Sequence, residues 1–413
     1  MLSSILLITV SYPFGNGEQF VAGEIKHLSK KCDQLLIFPS SFSGAKRLMP
    51  GNATVVRDSK IRNWIMMLVG FFYSLPKYRK FFMADLIATI KAEKLNIFRF
   101  SRLAYILVYI VRSCRFIAWF DLYYKGHTQH SLIYTYWMNS EAYGVSILKR
   151  YNPGLKTVSR VHGGDLYKER NFGFLPFREP MFRSLDRIFS ISNQGKKYLI
   201  SEYGAFIENK IIVSRLGVQR ANIPEREYNE NVITIASCSS DDQVKRIYAI
   251  LETIGSFSNI VSKQVNWVHI GIEKNHFLKK YGRLLDCYNN LNCVFEGVVA
   301  QERVYDIYRK YRPNLFINLS SSEGVPVSIM EALSMGIPII ATDVGGTSEI
   351  IDGKVGALVT SEIDIQVIKK EIETILQFNN QYSKAAYERW SDFCDEKSNY
   401  EIHYHHLRGV KSD

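Results

Sequence analysis

The run LFINLSSSEGVPVSIMEALSMGIPIIATDVGG, Leu315–Gly346, admits few folds. A short apolar stretch, LFINLS, reads as a strand, and SSEGVP as the turn after it. Pro326 suits the first turn of a helix, where its missing N–H is no loss. VSIMEALSM is that helix, and Gly336 ends it. IPIIATDV is a second strand, Gly345-Gly346 a second turn, and TSEII the start of another helix. Two strands joined through one helix lie parallel in a single sheet, with a right-handed crossover. Both turns then fall at the same end of that sheet. The expectation is an α/β fold with a parallel sheet.

The rest of the chain repeats this alternation twice. Ile5–Val10 is an apolar strand, followed by the glycine loop SYPFGNGEQF, the helical VAGEIKHLSKK and the strand QLLIFP. Strand, glycine loop, helix, strand is how a doubly wound domain opens. Residues 61–120 read as helices and LIYTYW as a strand. KTVSRVHGG, RIFSISN and KIIVSRLGV are apolar runs with polar or glycine-rich ends, where open α/β sheets place ligands. The polar stretch GVQRANIPEREYNEN reads as a linker. After it come VITIAS, a helix from about Lys245, NWVHIGI, a helix at 277–286, CVFEGVV, a helix from Gln301, and the Leu315–Gly346 unit. At 413 residues the chain is too long for one core. The expected division is 1–216, a linker at 217–231, a second domain at 232–380, and a helical tail at 381–413.

The six cysteines are scattered without a CxxC pair, which points to reduced thiols and a cytoplasmic setting. MLSSILLITV lacks the basic start of a signal peptide and reads as a first strand. The net charge of +12 is concentrated: residues 57–125 hold 13 Lys or Arg against four Asp or Glu. That segment is also rich in Phe, Tyr, Trp and Met, but its uncharged apolar runs fall short of the ~20 residues of a spanning helix. Two readings follow: peripheral contact with an anionic membrane, or a helical core with a solvated basic face. HYHH at 403–406 has the residue type of a metal cluster, but in a tail helix it reads as surface and packing.

Leu315–Gly346 also implies chemistry. A helix N-terminus presents unpaired N–H groups and a positive dipole end, so the turn at 321–325 suits a phosphate. Glu331 lies one to two turns into an apolar helix. A carboxylate there needs hydrogen-bond donors, and a pair of ribose hydroxyls would supply them. The plainer alternative is an ordinary βα turn with a structural glutamate.

EGVPVSIMEALSMGIPIIATDVGGTSE resembles the signature of retaining glycosyltransferases of family 4. FEGVVAQERVYDIYRKYRPNLFINLSSSEG resembles the stretch that precedes that signature. YPFGNGEQFVAGEI, YTYWMNSEAYG and SRVHGGDLY resemble N-terminal motifs of members that build bacterial surface polysaccharides, such as capsule and lipopolysaccharide. The resemblance implies the GT-B fold: two facing Rossmann-like domains, with a C-terminal helix crossing back to the first. It implies that Glu331 binds the ribose, and that Glu323 with Gly324, Val325 and Pro326 binds the donor sugar and diphosphate. Lys245 would pair with the leaving diphosphate, and His162 would reach the reacting sugar. Gly15 and Gly17 would let the backbone approach the substrates, and Val298 would lie at the nucleobase.

The family usually carries an arginine about five residues before the lysine. Here Ser239 and Ser240 occupy that region, with Arg246 as a substitute charge. The sequence has no D-x-D, so no metal and no cofactor beyond the nucleotide-diphosphate sugar is expected. The acceptor would be a saccharide, in particular a lipid-linked one, and no nucleic acid partner is expected. Asp165 is expected to fix the His162 loop. The alternatives are a non-catalytic nucleotide-sugar-binding subunit and a GT-B nucleotide-sugar epimerase.

Overall fold

The structure is a computed structural model that describes residues 2–15, 17–56, 63–92, 100–127, 131–221 and 231–412. The chain forms two compact units, Met1–Ser214 with Tyr400–Asp413, and Arg215–Asn399. Of the tail anticipated at 381–413, residues 400–413 thus group with the first unit and 381–399 with the second. The linker read at 217–231 falls largely on 222–230, outside the described residues. Val218, at its start, forms a parallel bridge with Asp395 inside the second unit.

The first unit runs β1 (Leu2–Thr9), α1 (Val21–Leu28), β2 (Cys32–Pro39), β3 (Ala53–Val55), α2 (Asn63–Ala92), α3 (Phe100–Trp119), β4 (Ser131–Thr135) and α4 (Ser140–Tyr151). It continues through β5 (Lys156–Val161), α5 (Gly163–Leu166), α6 (Arg178–Ser184), β6 (Arg187–Ser190), α7 (Asn193–Tyr203) and β7 (Ile211–Val213). Its seven strands are parallel, in the order β3-β2-β1-β4-β5-β6-β7. Strand side chains alternate between faces. Leu6 and Ile8 therefore enter one core with Phe38, Phe116 and Ile133. Ile5 and Leu7 enter the other with Val21, Leu35 and Tyr134. Helices cover both faces, so the centre of β1, Ile5–Ile8, is an unbroken apolar run, as suits a buried parallel strand.

The basic, aromatic segment is the pair α2 and α3, with 57–62 and 93–99 outside the described residues. α2 kinks at Tyr78, two residues after Pro76, whose ring cannot continue the hydrogen-bond ladder. The helices are held by ionic anchors. Asp85 accepts from Arg150 Nη2 at 2.6 Å and Tyr143 Oη at 2.9 Å, and Asp121 from Lys77 Nζ and Tyr78 Oη at 2.7 Å each. Ile65, Val69, Phe72, Met83 and Ile87 form an exposed apolar row along α2, at helical spacing. Helix from Phe100 to Tyr124 is long and apolar enough to cross a membrane, although the sequence reading found no run of that length. Arg112 and Arg115 interrupt the run without ending the helix. Over half of its most apolar window is buried in the protein, as in a core helix.

The second unit runs β8 (Val232–Cys238), α8 (Ile247–Ser258), β9 (Gln264–Ile270), α9 (Lys274–Leu285), β10 (Leu291–Phe295), α10 (Gln301–Tyr311), β11 (Leu315–Asn318) and α11 (Val327–Ser334). β12 (Ile339–Thr342), β13 (Gly356–Val359), α12 (Ile365–Gln377) and α13 (Asn379–Phe393) complete it, and α14 (Glu396–Ser412) follows. Six parallel strands lie in the order β10-β9-β8-β11-β12-β13. Both units thus have the Rossmann order, which reverses beside the first strand. The architecture is the two-domain α/β one that the sequence implied. Two local readings need correction. TSEII is a 3₁₀ turn, Gly345–Glu349. The helix expected from Lys245 begins at Ile247, because Arg246 adopts φ 49° and breaks the turn Gln243–Lys245 from α8.

In α14, Tyr404, Leu407 and Val410 join the core of the first unit. His403 Nδ1 lies 2.8 Å from Ser214 Oγ, and its Nε2 lies 3.2 Å from Glu24. His405 is exposed beside Glu401. Among the described residues no three His, Cys, Asp or Glu converge as metal ligands, and HYHH divides between packing and surface.

Candidate functional site

In an open parallel sheet a ligand crevice forms beyond the strand ends, where the strand order reverses. In the second unit that place is between β8 and β11. The loop after β8 leads to Lys245, and the loop after β11 to Glu323. Lys245 Nζ donates to Glu323 Oε1 at 2.6 Å, and Asn318 Nδ2 approaches the same oxygen at 3.5 Å. Glu323 is buried, while Lys245 is about one-fifth exposed. The two residues are 78 positions apart in sequence, and the sheet alone brings them together.

The turn itself is clamped from both sides. Ser321 N donates to Val244 O at 2.8 Å, and Gly346 N donates to Gly324 O at 2.7 Å. Thr342 Oγ1 donates to the Ser320 carbonyl. Pro326 occupies the N-cap of α11, one position earlier than its expected place in the first turn. The N–H groups of Gly324, Val325 and Val327 donate to no protein group among the described residues. A rigid turn with unspent donors at a helix N-terminus is a place for an anion.

Glu331 lies in the middle of α11 and is only 5% exposed. Its one hydrogen-bonded side-chain partner among the described residues is Gln301, whose Nε2 donates to Oε1 at 2.8 Å. Burial pushes the carboxyl up to about 7; the Gln301 bond works against this and the charge of Glu302 adds to it. One amide is not enough to hold a buried carboxylate in its ionised form. Gln301 was not singled out from the sequence. It is 30 positions from Glu331, and nothing in its spacing marks it.

The other candidate residues of this unit make separate contacts. Arg246 Nη1 donates to the Ser361 carbonyl at 2.6 Å rather than joining Lys245 at Glu323. Val298 is 56% exposed, on the loop after β10, and its N–H donates to Glu273 Oε1 at 3.3 Å. The Ser239–Ser240 segment holds no cation. Gly271 permits the close approach there: at φ 111°, an added Cβ would lie 2.3 Å from Ser239 O. Asp241, next along, accepts from His276 Nε2, Lys280 Nζ and Tyr281 Oη at 2.8 to 3.1 Å.

In the first unit, His162 follows β5 and caps α5. It is buried among Tyr136, Trp137 and Phe20, with ring centroids 4.8, 4.5 and 5.9 Å away. Neither ring nitrogen has a hydrogen-bond partner among the described residues. Burial, and then the charge of Arg160, hold its pKa well below the ordinary histidine value, so the ring is neutral at neutral pH. Asp165 fixes the loop, accepting from His162 N and Met138 N at 2.6 Å each. Burial raises its carboxyl to about 6 against Arg178 and those N–H groups.

Gly15 and Gly17 lie on the loop after β1. Gly15, at φ 65°, presses on the 43–44 backbone, where a Cβ would meet Ser43 O at 2.5 Å. Arg47 Nε donates to Gly15 O at 2.7 Å, and Arg47 Nη2 donates to Gly17 O. Glu18, missed in the sequence, organises this loop. Its carboxylate accepts from the N–H groups of Val10, Ser11 and Tyr12 and from Trp137 Nε1 at 2.5 to 3.0 Å. These three N–H groups on the loop after β1 are thus filled by the protein's own carboxylate.

Residues 219–389 match the family described as Glycosyl transferases group 1. The O-antigen biosynthesis glycosyltransferase WbnH of Escherichia coli is 26% identical over 182 residues, 43% of this chain and 48% of that protein. The probable O-antigen biosynthesis glycosyltransferase WbiN of Escherichia coli gives the same values. The match therefore spans about half the length of these curated relatives. Among solved structures, HepE of Anabaena with UDP and glucose has a TM-score of 0.68 at 14% identity, over 98% of this chain and 99% of that one. Sucrose-phosphate synthase of Thermosynechococcus elongatus has a TM-score of 0.67 at 16% identity, over 99% of both chains. The lipopolysaccharide outer core galactosyltransferase WaaB has a TM-score of 0.66 at 13% identity, over 99% of both. These structures share the fold, which is GT-B.

Proposed function

We propose that the protein is a retaining glycosyltransferase of family 4, which moves a sugar from a nucleotide-diphosphate sugar to a hydroxyl of a lipid-linked oligosaccharide in surface polysaccharide synthesis. One observation carries this reading: among the described residues, Glu331 is a buried carboxylate with one amide partner, on a helix whose N-terminal donors are unspent. A ribose diol satisfies the first and a diphosphate the second. HepE, which shares the fold, was solved with UDP and glucose, and the O-antigen relatives support the polysaccharide context.

In this reading Lys245 and the amides after Glu323 stabilise the leaving diphosphate. The acceptor oxygen bonds to the anomeric carbon on the face that the phosphate leaves. The departing phosphate oxygen takes the acceptor proton, so no side chain serves as general base and no metal is required. In this reading His162, neutral and with neither ring nitrogen bonded to a described residue, positions a saccharide hydroxyl once the substrate is bound. The decisive experiment is release of nucleoside diphosphate from a panel of nucleotide sugars, with and without acceptor. Acceptor-dependent release supports the transferase. Binding without release favours the second reading, a non-catalytic sugar-nucleotide subunit, which the turning of Arg246 toward Ser361 supports.

Binding depends on pH in a stated direction. The diol needs ionised Glu331, and the group sits near 7 in the unliganded protein. Nucleotide affinity is flat above that value and falls by about tenfold per pH unit below it. Calorimetric titration between pH 5.5 and 8.5, estimated as the useful range around that midpoint, measures this. Glu331→Gln flattens the profile at low affinity; a profile that keeps its slope in the variant removes Glu331 from the ribose.

We further propose a peripheral location on the cytoplasmic membrane face. The exposed row on α2, interleaved with Arg79, Lys80 and Lys91, suits an anionic interface. Pelleting with anionic vesicles exceeds that with neutral ones and declines with salt. Equal binding to neutral vesicles would remove the electrostatic part.

A further inference from the structure

Glu331 has more acceptor capacity than the protein fills. A carboxylate offers about four lone-pair sites. Gln301 Nε2 takes one of them, on Oε1 at 2.8 Å. Among the described residues Oε2 accepts from no protein group. It is not sealed from solvent either, unlike the hydroxyls of Tyr305 and Tyr308.

Gln301 is placed for this contact by what precedes it. It is the first residue of α10, and the loop before it is fixed. Gly271 N donates to Gly297 O at 2.7 Å, and Val298 N donates to Glu273 Oε1 at 3.3 Å. Gln301, Tyr305 and Tyr308 follow helical spacing along one face of α10. That face lies beside Glu331. Burial, and then the charge of Glu331, raise the Tyr305 hydroxyl; burial, Cys238 and then Glu331 raise that of Tyr308. Burial and then Glu331 raise the Cys238 thiol at the end of β8. All three groups are neutral at neutral pH. α13 also packs on α11, but its Arg389 is turned to the Glu349 and Ile350 carbonyls. Glu302, the further charge that bears on Glu331, has the same sign. Among the described residues, then, a neutral amide alone fixes the carboxylate.

We infer that Gln301 is a positioning residue that fixes the Glu331 carboxylate for both hydroxyls of a ribose, so that the donor is a ribonucleotide sugar and not a 2′-deoxyribonucleotide one. The inference rests on the ribose reading of the proposed function and narrows its substrate class. A 2′-deoxy sugar presents one hydroxyl where the carboxylate has room for two, and leaves a buried acceptor unfilled. Sites built around a ligand hydroxyl reject the analogue that lacks it for this reason. A neutral donor also orients the carboxylate without cancelling its charge, as a lysine at the same position would.

The test is calorimetry on the full chain with UDP, GDP and CDP and with their 2′-deoxy counterparts, over roughly pH 6 to 9. The best-binding ribonucleotide exceeds its 2′-deoxy form by about tenfold or more. Gln301→Leu removes the donor to the ionised carboxyl, so the Glu331 value, already above the ordinary 4.5, rises further. Ribonucleotide affinity then falls by about fivefold near neutral pH and recovers as the pH is raised. Gln301→Lys adds a cation, lowers the midpoint and keeps the affinity to lower pH. Equal affinity for the ribo and 2′-deoxy forms in the native protein overturns the donor class. An unchanged midpoint in both Gln301 variants, even with weaker binding, makes Gln301 a merely structural residue and overturns its role. Glu331→Gln separates the two levels. If it keeps the full ribose preference, the proposed function loses its ribose contact. If it abolishes that preference while both Gln301 variants keep the native midpoint, the inference on Gln301 alone fails.

Discussion

In Lys245→Ala, turnover falls on the order of 10² to 10³, the usual loss when a preorganised electrostatic donor is removed from a developing charge. The effect falls on kcat more than on donor affinity, because the charge on the diphosphate grows as its bond to the sugar breaks. The unliganded geometry supports this role. Lys245 is held at 2.6 Å by Glu323, so it is preorganised by a carboxylate that is itself buried. Lys245→Arg keeps the charge and recovers part of the rate. Removing Lys245 also leaves the Glu323 carboxylate with the long Asn318 contact, so the variant is checked for folding by thermal melting. Initial rates with and without a chelator complete the measurement. The metal-free reading expects equal rates; activity lost to the chelator, or an unchanged kcat in Lys245→Ala, refutes the assignment of charge stabilisation to this lysine.

The second large effect is on stability. Glu24→Gln or Arg160→Met destabilises the first unit by about 3–5 kcal/mol, because each leaves a buried partner uncompensated. The Glu24 and Arg160 side chains are essentially inaccessible and in contact. Tyr134 Oη donates to Glu24 at 2.8 Å, and Arg160 Nη2 donates to Ser214 O at 2.8 Å. His403 adds the residues of α14 to the same network. A fall in Tm of about 10 °C is the expected readout. Replacing both partners with well-packed apolar residues restores much of it.

The pH dependence has a definite sign. Burial alone would raise the Glu24 carboxyl, but Arg160 and His403 hold it at about 2, against an ordinary value of 4.5. Its contribution is complete above 4.5 and is lost as pH falls toward 2. Burial depresses His403 below its ordinary 6.5, despite Glu24. Stability from its neutral form is therefore present above 6.5 and declines as pH drops through that value. Melting curves from pH 8 to 4, a range estimated to span both ordinary values, should show the decline beginning in the histidine range in the native protein.

The strand–turn–helix unit at 315–336 was legible because its signals are local. Strand, turn, Pro326, helix and Gly336 are contiguous, and each step is dictated by backbone sterics or hydrogen-bond satisfaction. The same holds for the His162 loop, where Asp165 lies three positions on. The structure departs from the sequence reading where neighbours in sequence part in space. Arg246 was taken as a second cation beside Lys245, yet its left-handed backbone turns the guanidinium to Ser361. Glu18 was not singled out, because its donors at Val10, Ser11 and Tyr12 meet it only once the loop closes.

Taken alone, the sequence determined that the chain is two parallel-sheet domains, and that a helix N-terminus follows a strand at Glu323. Hydrophobic period, turn residues and crossover handedness are properties of short segments, and they hold wherever those segments go. Only the tertiary structure decided that Lys245 meets Glu323, that Gln301 donates to Glu331, and that His403 of α14 lies against Glu24. Those pairs lie 30 to 379 positions apart. The free energy of a buried charge depends on what surrounds it in space, which no local pattern encodes.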